Sequence, residues 1–207
     1  MRKIALTGGI ACGKSTVGGW LREMGAEVID SDLISHALTS PAGEALPALW
    51  AAFGERVRNA DDTLNRQALG TIVFADDAER ARLNGILHPL IEARMAEKIA
   101  DCQKNGLPIV ILEVPLLYEA DMAHIADEVW CISAPYDIQV QRLMNRNGLS
   151  REQAEARIRS QWPLAAKEAL ADVVIDTGKP EAEVREEVSR IYAARRSSGC
   201  RAERSQQ

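Results

Sequence analysis

Eight residues near the start of the chain constrain it more than any other feature. Gly8-Gly9-Ile10-Ala11-Cys12-Gly13-Lys14-Ser15 satisfies G-x-x-x-x-G-K-[ST] at every fixed position. Its flanks satisfy the pattern too. Residues 2–7 (Arg-Lys-Ile-Ala-Leu-Thr) predict a short strand, and after Lys14 the residues Val17, Trp20, Leu21 and Met24 recur at helical spacing until Gly25 ends the run. A glycine-rich turn between strand and helix can curl so that successive backbone N–H groups face inward around phosphate oxygens. The helix N-terminus adds its positive end. Lys14 is then expected at the β- and γ-phosphates and the Ser15 hydroxyl at a Mg²⁺ ion. Gly8 through Thr16 are the expected nucleotide contacts.

Such a loop needs a parallel sheet behind it, and the rest of the chain predicts one. Val28-Ile29 reads as a second strand. The run 108–114 (Pro-Ile-Val-Ile-Leu-Glu-Val) is apolar without alternation, as a strand buried on both faces should be. Residues 128–132 and 172–176 read as two more. Helical patterns fill the intervals, which makes βαβ units and five strands in an α/β fold. Between 33 and 104 the pattern is helical, punctuated by Pro41, Gly43, Pro47 and Gly54, with Pro89 expected to divide the segment 77–104. Pro135 suits the first turn of a helix ending at Asn147-Gly148, and Ser150 with Gln153 fits a capping box. Residues after about 196 are expected to fray.

Composition removes several classes of function. The chain has 207 residues with a net charge of −5. The last thirteen residues carry Arg195, Arg196, Arg201 and Arg204 against Glu203, or +3, which leaves −8 for the remainder. That balance argues against nucleic acid as a partner. No window reaches the roughly 18 apolar residues of a membrane span, and the N-terminus lacks the apolar run of a secretory signal, so the expectation is a cytoplasmic protein. Cys12, Cys102, Cys131 and Cys200 are scattered without a C-x-x-C pair, which suggests neither zinc nor a disulfide framework. The GTPase patterns D-x-x-G and N-K-x-D are missing, and motor or transporter ATPases usually need longer domains. A small kinase fits best; a non-catalytic nucleotide sensor is the alternative from another class.

Other residues could supply chemistry. Asp30 and Asp32 follow the second strand, where the carboxyl ends of parallel strands meet ligands. One of them could orient or deprotonate an attacking hydroxyl, or Asp32 could cap the next helix. Glu113 ends an apolar strand, where an acid could bind Mg²⁺ directly or through water, or be an ordinary strand-end charge. Arg142, Arg146, Arg151, Arg157 and Arg159 form a basic group, with Arg142 and Arg146 on one helix face; together they suggest a phosphate-binding lid. Cys12 lies where the loop's field favours thiolate, though a small filler residue is the plainer reading. His88 alone is read more readily as a structural hydrogen-bonder than as a catalyst.

From about residue 3 to about 190 the chain resembles the bacterial dephospho-CoA kinases. The likeness rests on motifs in order: Leu6-Thr-Gly-Gly-Ile10 leading into Gly13-Lys-Ser-Thr16, then Val28-Ile-Asp30-Ser-Asp32, Leu87-His-Pro-Leu-Ile91, Val114-Pro-Leu-Leu-Tyr-Glu119, and Arg142 through Gln161 with Lys167 and Ala171-Asp172 following. The resemblance implies transfer of phosphate from ATP, with Mg²⁺, to the 3′-hydroxyl of dephospho-CoA. Other P-loop nucleoside or metabolite kinases are the nearest alternative. It implies Lys14, Asp32 and Arg142 as catalytic residues, Arg142 also as an ATP contact, and Asp32, His88, Glu119, Gln161 and Lys167 on the acceptor side. Ser15 and Glu113 are the expected metal residues. The implied architecture is a nucleotide-binding core (1–32, 106–139 and 166–195), a helical acceptor domain (33–105), a helical lid (140–165) and a flexible tail (196–207), in a monomer or weak oligomer. The chain departs from the family at Ala11-Cys12, where Gly-Ser is usual, at Thr177, where Asn is frequent, and at Trp162-Pro163.

Overall fold

In the computed structural model the backbone is described for residues 1–204 and the side chains through Ser197. The elements in chain order are β1 (Arg2–Gly8), α1 (Lys14–Glu23), β2 (Glu27–Asp30), α2 (Ser31–Leu38), α3 (Leu46–Phe53), α4 (Arg66–Ala75), α5 (Asp77–Lys104), β3 (Ile109–Glu113), β4 (Glu128–Ser133), α6 (Tyr136–Asn147), α7 (Arg151–Arg159), α8 (Leu164–Leu170), β5 (Val173–Asp176) and α9 (Glu181–Arg204). The five strands form one all-parallel sheet in the order β2-β3-β1-β4-β5. The most apolar strands, β1, β3 and β4, take the three central places, and the two shortest take the edges.

Two compact units are present: Met1–Asp30 with the chain from Asp101 onward, and Ser31–Ala100. In the first, Ile4, Leu6, Ile109, Ile111, Trp130, Ile132 and Ile175 point to one face of the sheet, where Val17, Trp20 and Leu21 of α1 and Val184, Val188 and Tyr192 of α9 pack on them. Alternate residues Ala5, Val110, Leu112, Val129 and Cys131 are buried as well, so the central strands show the unbroken hydrophobicity of a sheet covered on both faces. Glu128 holds the second half of α9, accepting from Arg195 Nε at 2.8 Å, and also accepts from buried Trp130 Nε1 at 2.8 Å. The first arginine of the basic C-terminal run is therefore part of the packed unit. The expected tail, 196–207, falls mostly outside the residues whose side chains are described.

The second unit is helical, with Ile34, Leu38, Leu46, Leu49, Phe53, Val57, Leu64 and Leu69 buried. Here one expectation is corrected: α5 runs unbroken through Pro89. Proline removes one hydrogen bond and crowds the carbonyl four residues earlier. That residue is Gly85, whose backbone can shift most easily, and long stretches of intact helix on both sides absorb the loss. Among the described residues no helix is long and apolar enough to cross a membrane.

Candidate active site

The loop between β1 and α1 takes its shape from close backbone contacts. Gly8 sits at φ 148°, and a Cβ there would lie 2.1 Å from the carbonyl oxygen of Ile132 on neighbouring β4. Only glycine lets the chain leave the sheet at this point. The loop then closes on itself through Cys12 N–H to the Gly9 carbonyl (3.3 Å) and enters α1 at Gly13, φ 84°, with Thr16 and Val17 donating to the Gly13 carbonyl at 3.1 Å each. No side chain caps α1 and no acidic residue stands in its first turn. A helix start left without a protein cap, preceded by a curled glycine loop, suits an anion. Lys14 is half-buried and Ser15 exposed in that first turn.

Ala11 has φ 60°. A left-handed conformation costs a residue with a Cβ about 1–2 kcal/mol, so something must hold it. The Ala11 carbonyl accepts from Arg142 Nη1 at 3.3 Å. The same guanidinium donates to Thr177 Oγ1 (2.9 Å) and to the Thr177 carbonyl (2.8 Å). Thr177 Oγ1 in turn lies 2.7 Å from the Cys12 carbonyl and 3.1 Å from that of Ser133. Arg142 thus bridges α6, the phosphate loop and the turn after β5. Three of the other arginines of the group are engaged within the hairpin. Arg151 pairs with Asp137 and Glu155, Arg159 with Glu155, and Arg146 bonds Asn147. The capping box at Ser150 and Gln153 forms, and Gly148 at φ 63° ends α6.

Cys12 is 1% exposed and part of the core cluster. Burial pushes its thiol up to about 11, against the lowering influence of the Gly9 N–H, Lys14 and Arg142. The loop's field acts on Cys12 as expected but loses to desolvation, and the small-filler reading describes this side chain.

Glu113 ends β3 and is 3% exposed. Its carboxylate lies 3.5 Å from Arg22 Nη2, and a Cβ on Gly18 would come within 2.7 Å of Oε2. Ser15, Gly18 and Arg22 share one face of α1, so Glu113 lies along the face that begins at the Ser15 hydroxyl. The Ser15 hydroxyl is an exposed hard-oxygen donor of the kind Mg²⁺ takes, while the Glu113 carboxylate is set against Gly18 and Arg22, one to two turns further along α1.

Glu119, Gln161 and Lys167 come together, but on each other and on the phosphate loop. Lys167 is fully buried, with Nζ 2.6 Å from Glu119 Oε1 and 3.4 Å from the Pro115 carbonyl. That carbonyl also accepts from Thr7 Oγ1 at 3.2 Å, at the end of β1. Glu119 Oε1 accepts from the Trp162 N–H at 3.1 Å, and the Trp162 ring stacks on Tyr118 with centroids 6.2 Å apart. Gln161 Oε1 accepts from the Ile10 N–H at 3.0 Å.

Asp32 is exposed in the first turn of α2, two residues beyond β2, and the helix begins ahead of it at Ser31. His88 is half-buried on α5; burial holds it below its ordinary value, with Glu92 opposing. Among the described residues no cluster of three metal-ligating side chains occurs.

Sequence reasoning missed Gln139. Its buried side chain donates to the Ala134 carbonyl (2.8 Å), and its Oε1 would lie 3.1 Å from a Cβ on Gly9. It also missed Ser133, whose hydroxyl donates to Glu168. A polar residue at an otherwise apolar helix position, such as Gln139 beside Val140 and Leu143, was the available signal.

The family model for dephospho-CoA kinase matches residues 2–182. A dephospho-CoA kinase of Carboxydothermus hydrogenoformans is 41% identical over 188 residues, 91% of each chain. Among solved structures, TT1252 of Thermus thermophilus superposes with a TM-score of 0.82 at 31% identity, covering 93% of this chain and 96% of its own. The dephospho-CoA kinase of Campylobacter jejuni gives a TM-score of 0.69 at 28% identity, covering 92% and 95%.

Proposed function

The chain belongs to the dephospho-CoA kinase family, and we propose from that premise that its site moves the γ-phosphoryl group of ATP to the ribose 3′-hydroxyl of dephospho-CoA. The reaction is the last step of coenzyme A biosynthesis, and the enzyme is an ATP-dependent kinase. The match over residues 2–182 carries the assignment. The uncapped start of α1 behind the curled loop supplies the physical reason.

In this reading the backbone of residues 8–16 cradles the phosphates, and Lys14 neutralises charge on the group in transit. The Asp32 carboxylate takes the proton of the 3′-hydroxyl as its oxygen bonds to the γ-phosphorus, and ADP departs with the electrons of the broken P–O bond. Arg142 borders the cradle from α6, bracing Ala11 and Thr177 on the nucleotide side. Mg²⁺, when bound, neutralises phosphate charge; Ser15 would hold it, with Glu113 acting from further along the same helix face. We assign acceptor binding to the helical region 33–105, His88 included, and the lid to 140–165. Glu119 and Lys167 serve that lid as anchors of its hinge. A cytoplasmic, monomeric or weakly associated enzyme is the setting we propose.

ADP release measured across dephospho-CoA, AMP, CMP, shikimate and gluconate tests the acceptor. Dephospho-CoA should be turned over far better than the rest; a preference for AMP would sink the assignment. Lys14→Ala should abolish turnover while leaving thermal unfolding of the nucleotide-free protein nearly unchanged.

A further inference from the structure

Three consecutive residues of the phosphate loop are each gripped by a side chain from a distant part of the chain. The Ile10 N–H donates to Gln161, the Ala11 carbonyl accepts from Arg142, and the Cys12 carbonyl accepts from Thr177. Gln161 and Arg142 sit at the two roots of the lid segment. Within the lid segment, Val140, Leu143 and Ala154 form a small apolar cluster against which Ile10 and Ala11 pack. The residue at the centre of the grip is the strained one, Ala11 at φ 60°.

The strain and the grip belong together. Left alone, an alanine escapes the left-handed region by rotating about its N–Cα bond, which swings the peptide unit joining residues 10 and 11. With the Ile10 N–H and the Ala11 carbonyl both held, φ at Ala11 can change only if ψ at Ile10 counter-rotates, which narrows the escape to a flip of that one peptide unit. Gln161 can hold its side because its own backbone is anchored. The next residue, Trp162, donates its N–H to Glu119, which is ion-paired to fully buried Lys167. The acceptor oxygen is thus presented from a fixed point rather than from a loose surface.

We propose that Gln161 is a positioning residue: by accepting the Ile10 N–H from the lid hinge, it holds Ala11 in the left-handed conformation that keeps the phosphate loop open for nucleotide. A glycine at position 11 would make this brace largely unnecessary, since glycine adopts that conformation freely. The proposal rests on the ATP cradle proposed above, and it departs from the acceptor-side role that the family resemblance implies for this residue.

A double-mutant cycle between Gln161→Ala and Ala11→Gly tests it. If the brace maintains the competent loop, its loss lowers the fraction of protein ready to bind, so KM for ATP rises while kcat is largely kept. The expected rise is about tenfold, corresponding to ~1.4 kcal/mol. The same Gln161→Ala change made on top of Ala11→Gly should raise KM for ATP by less than about threefold. Gln161→Asn, one methylene shorter and of the same polarity, should behave like Gln161→Ala and serves if the alanine variant folds poorly. In nucleotide-free protein the Ile10 amide should exchange faster in Gln161→Ala and Gln161→Asn than in the parent or in Gln161→Glu, which retains an acceptor. That readout is independent of which substrate the enzyme uses. Equal KM penalties in both backgrounds, or unchanged Ile10 exchange, would overturn the proposal. A penalty confined to KM for dephospho-CoA would also overturn it and return Gln161 to the acceptor side.

Discussion

Replacing Lys167 with methionine separates an anchor from a substrate contact. The two side chains are close in length, so the change removes the charge and leaves most of the packing. In the parent, Nζ lies 2.6 Å from Glu119 Oε1 and the lysine is 0% exposed, while the Glu119 side chain keeps 17% of its surface. Losing one partner of a buried ion pair costs about 3–5 kcal/mol, because the other charge stays behind uncompensated. Glu119 retains some water and the Trp162 N–H, so the lower end applies, about 3 kcal/mol. For a chain of this length each kcal/mol moves Tm by about 2–4 °C, which makes the expected fall about 6–12 °C. Calorimetry on the nucleotide-free protein reads it directly. Lys167→Met combined with Glu119→Gln should recover part of the loss, since no lone charge then remains, and Gln at 119 can still accept from Trp162. An unchanged Tm for Lys167→Met together with a raised KM for dephospho-CoA would refute the reasoning, because the lysine's charge would then be spent on substrate.

Two further predictions follow from titratable groups. With its thiol held up near 11 by burial, Cys12 at pH 7.5 should react about 300-fold more slowly than an open cysteine on ionisation alone, equally with and without Mg-ATP; fast labelling suppressed by nucleotide would contradict its place in the core. His88 is held below its ordinary value by burial, so from about pH 6.5 downward the unfolded chain takes up a proton that the folded one resists. Its contribution to stability is complete above that pH and fades as pH falls. Tm measured from pH 7.5 to 5.5 should drop less for His88→Gln than for the parent, and parallel curves would rule the effect out.

The sheet, the phosphate loop and the capping box at Ser150 were legible because each is written in neighbouring residues. An apolar run, a glycine spacing and a Ser-x-x-Gln pair all express their physics within one or two turns of chain. Pro89 misled for the same reason: its local preference is to break a helix, and the extended helix around it outweighed one lost hydrogen bond. The braces of the loop were illegible because they join residues far apart in sequence. Arg142 and Ala11 are separated by 131 positions, Gln161 and Ile10 by 151, and Thr177 and Cys12 by 165. No periodicity marks such pairs.

The departures from the family pattern were visible in sequence, but only the structure relates them to one another. Ala11 occupies a left-handed position where glycine is usual, and Cys12 turns into the core. Thr177 spends its hydroxyl on the Cys12 carbonyl while accepting from Arg142. Trp162 stacks on Tyr118 and donates its N–H to Glu119. Each is a local change, and together they surround the same short loop. A Cβ at position 11 raises the cost of the cradle's shape, and the contacts of Arg142, Gln161 and Thr177 fall on residues 10, 11 and 12. Strain of this kind persists only where surrounding contacts over-determine the backbone. Substitutions at 142, 161 or 177 should accordingly act on nucleotide binding through the loop's shape, even where the altered side chain does not itself touch ATP.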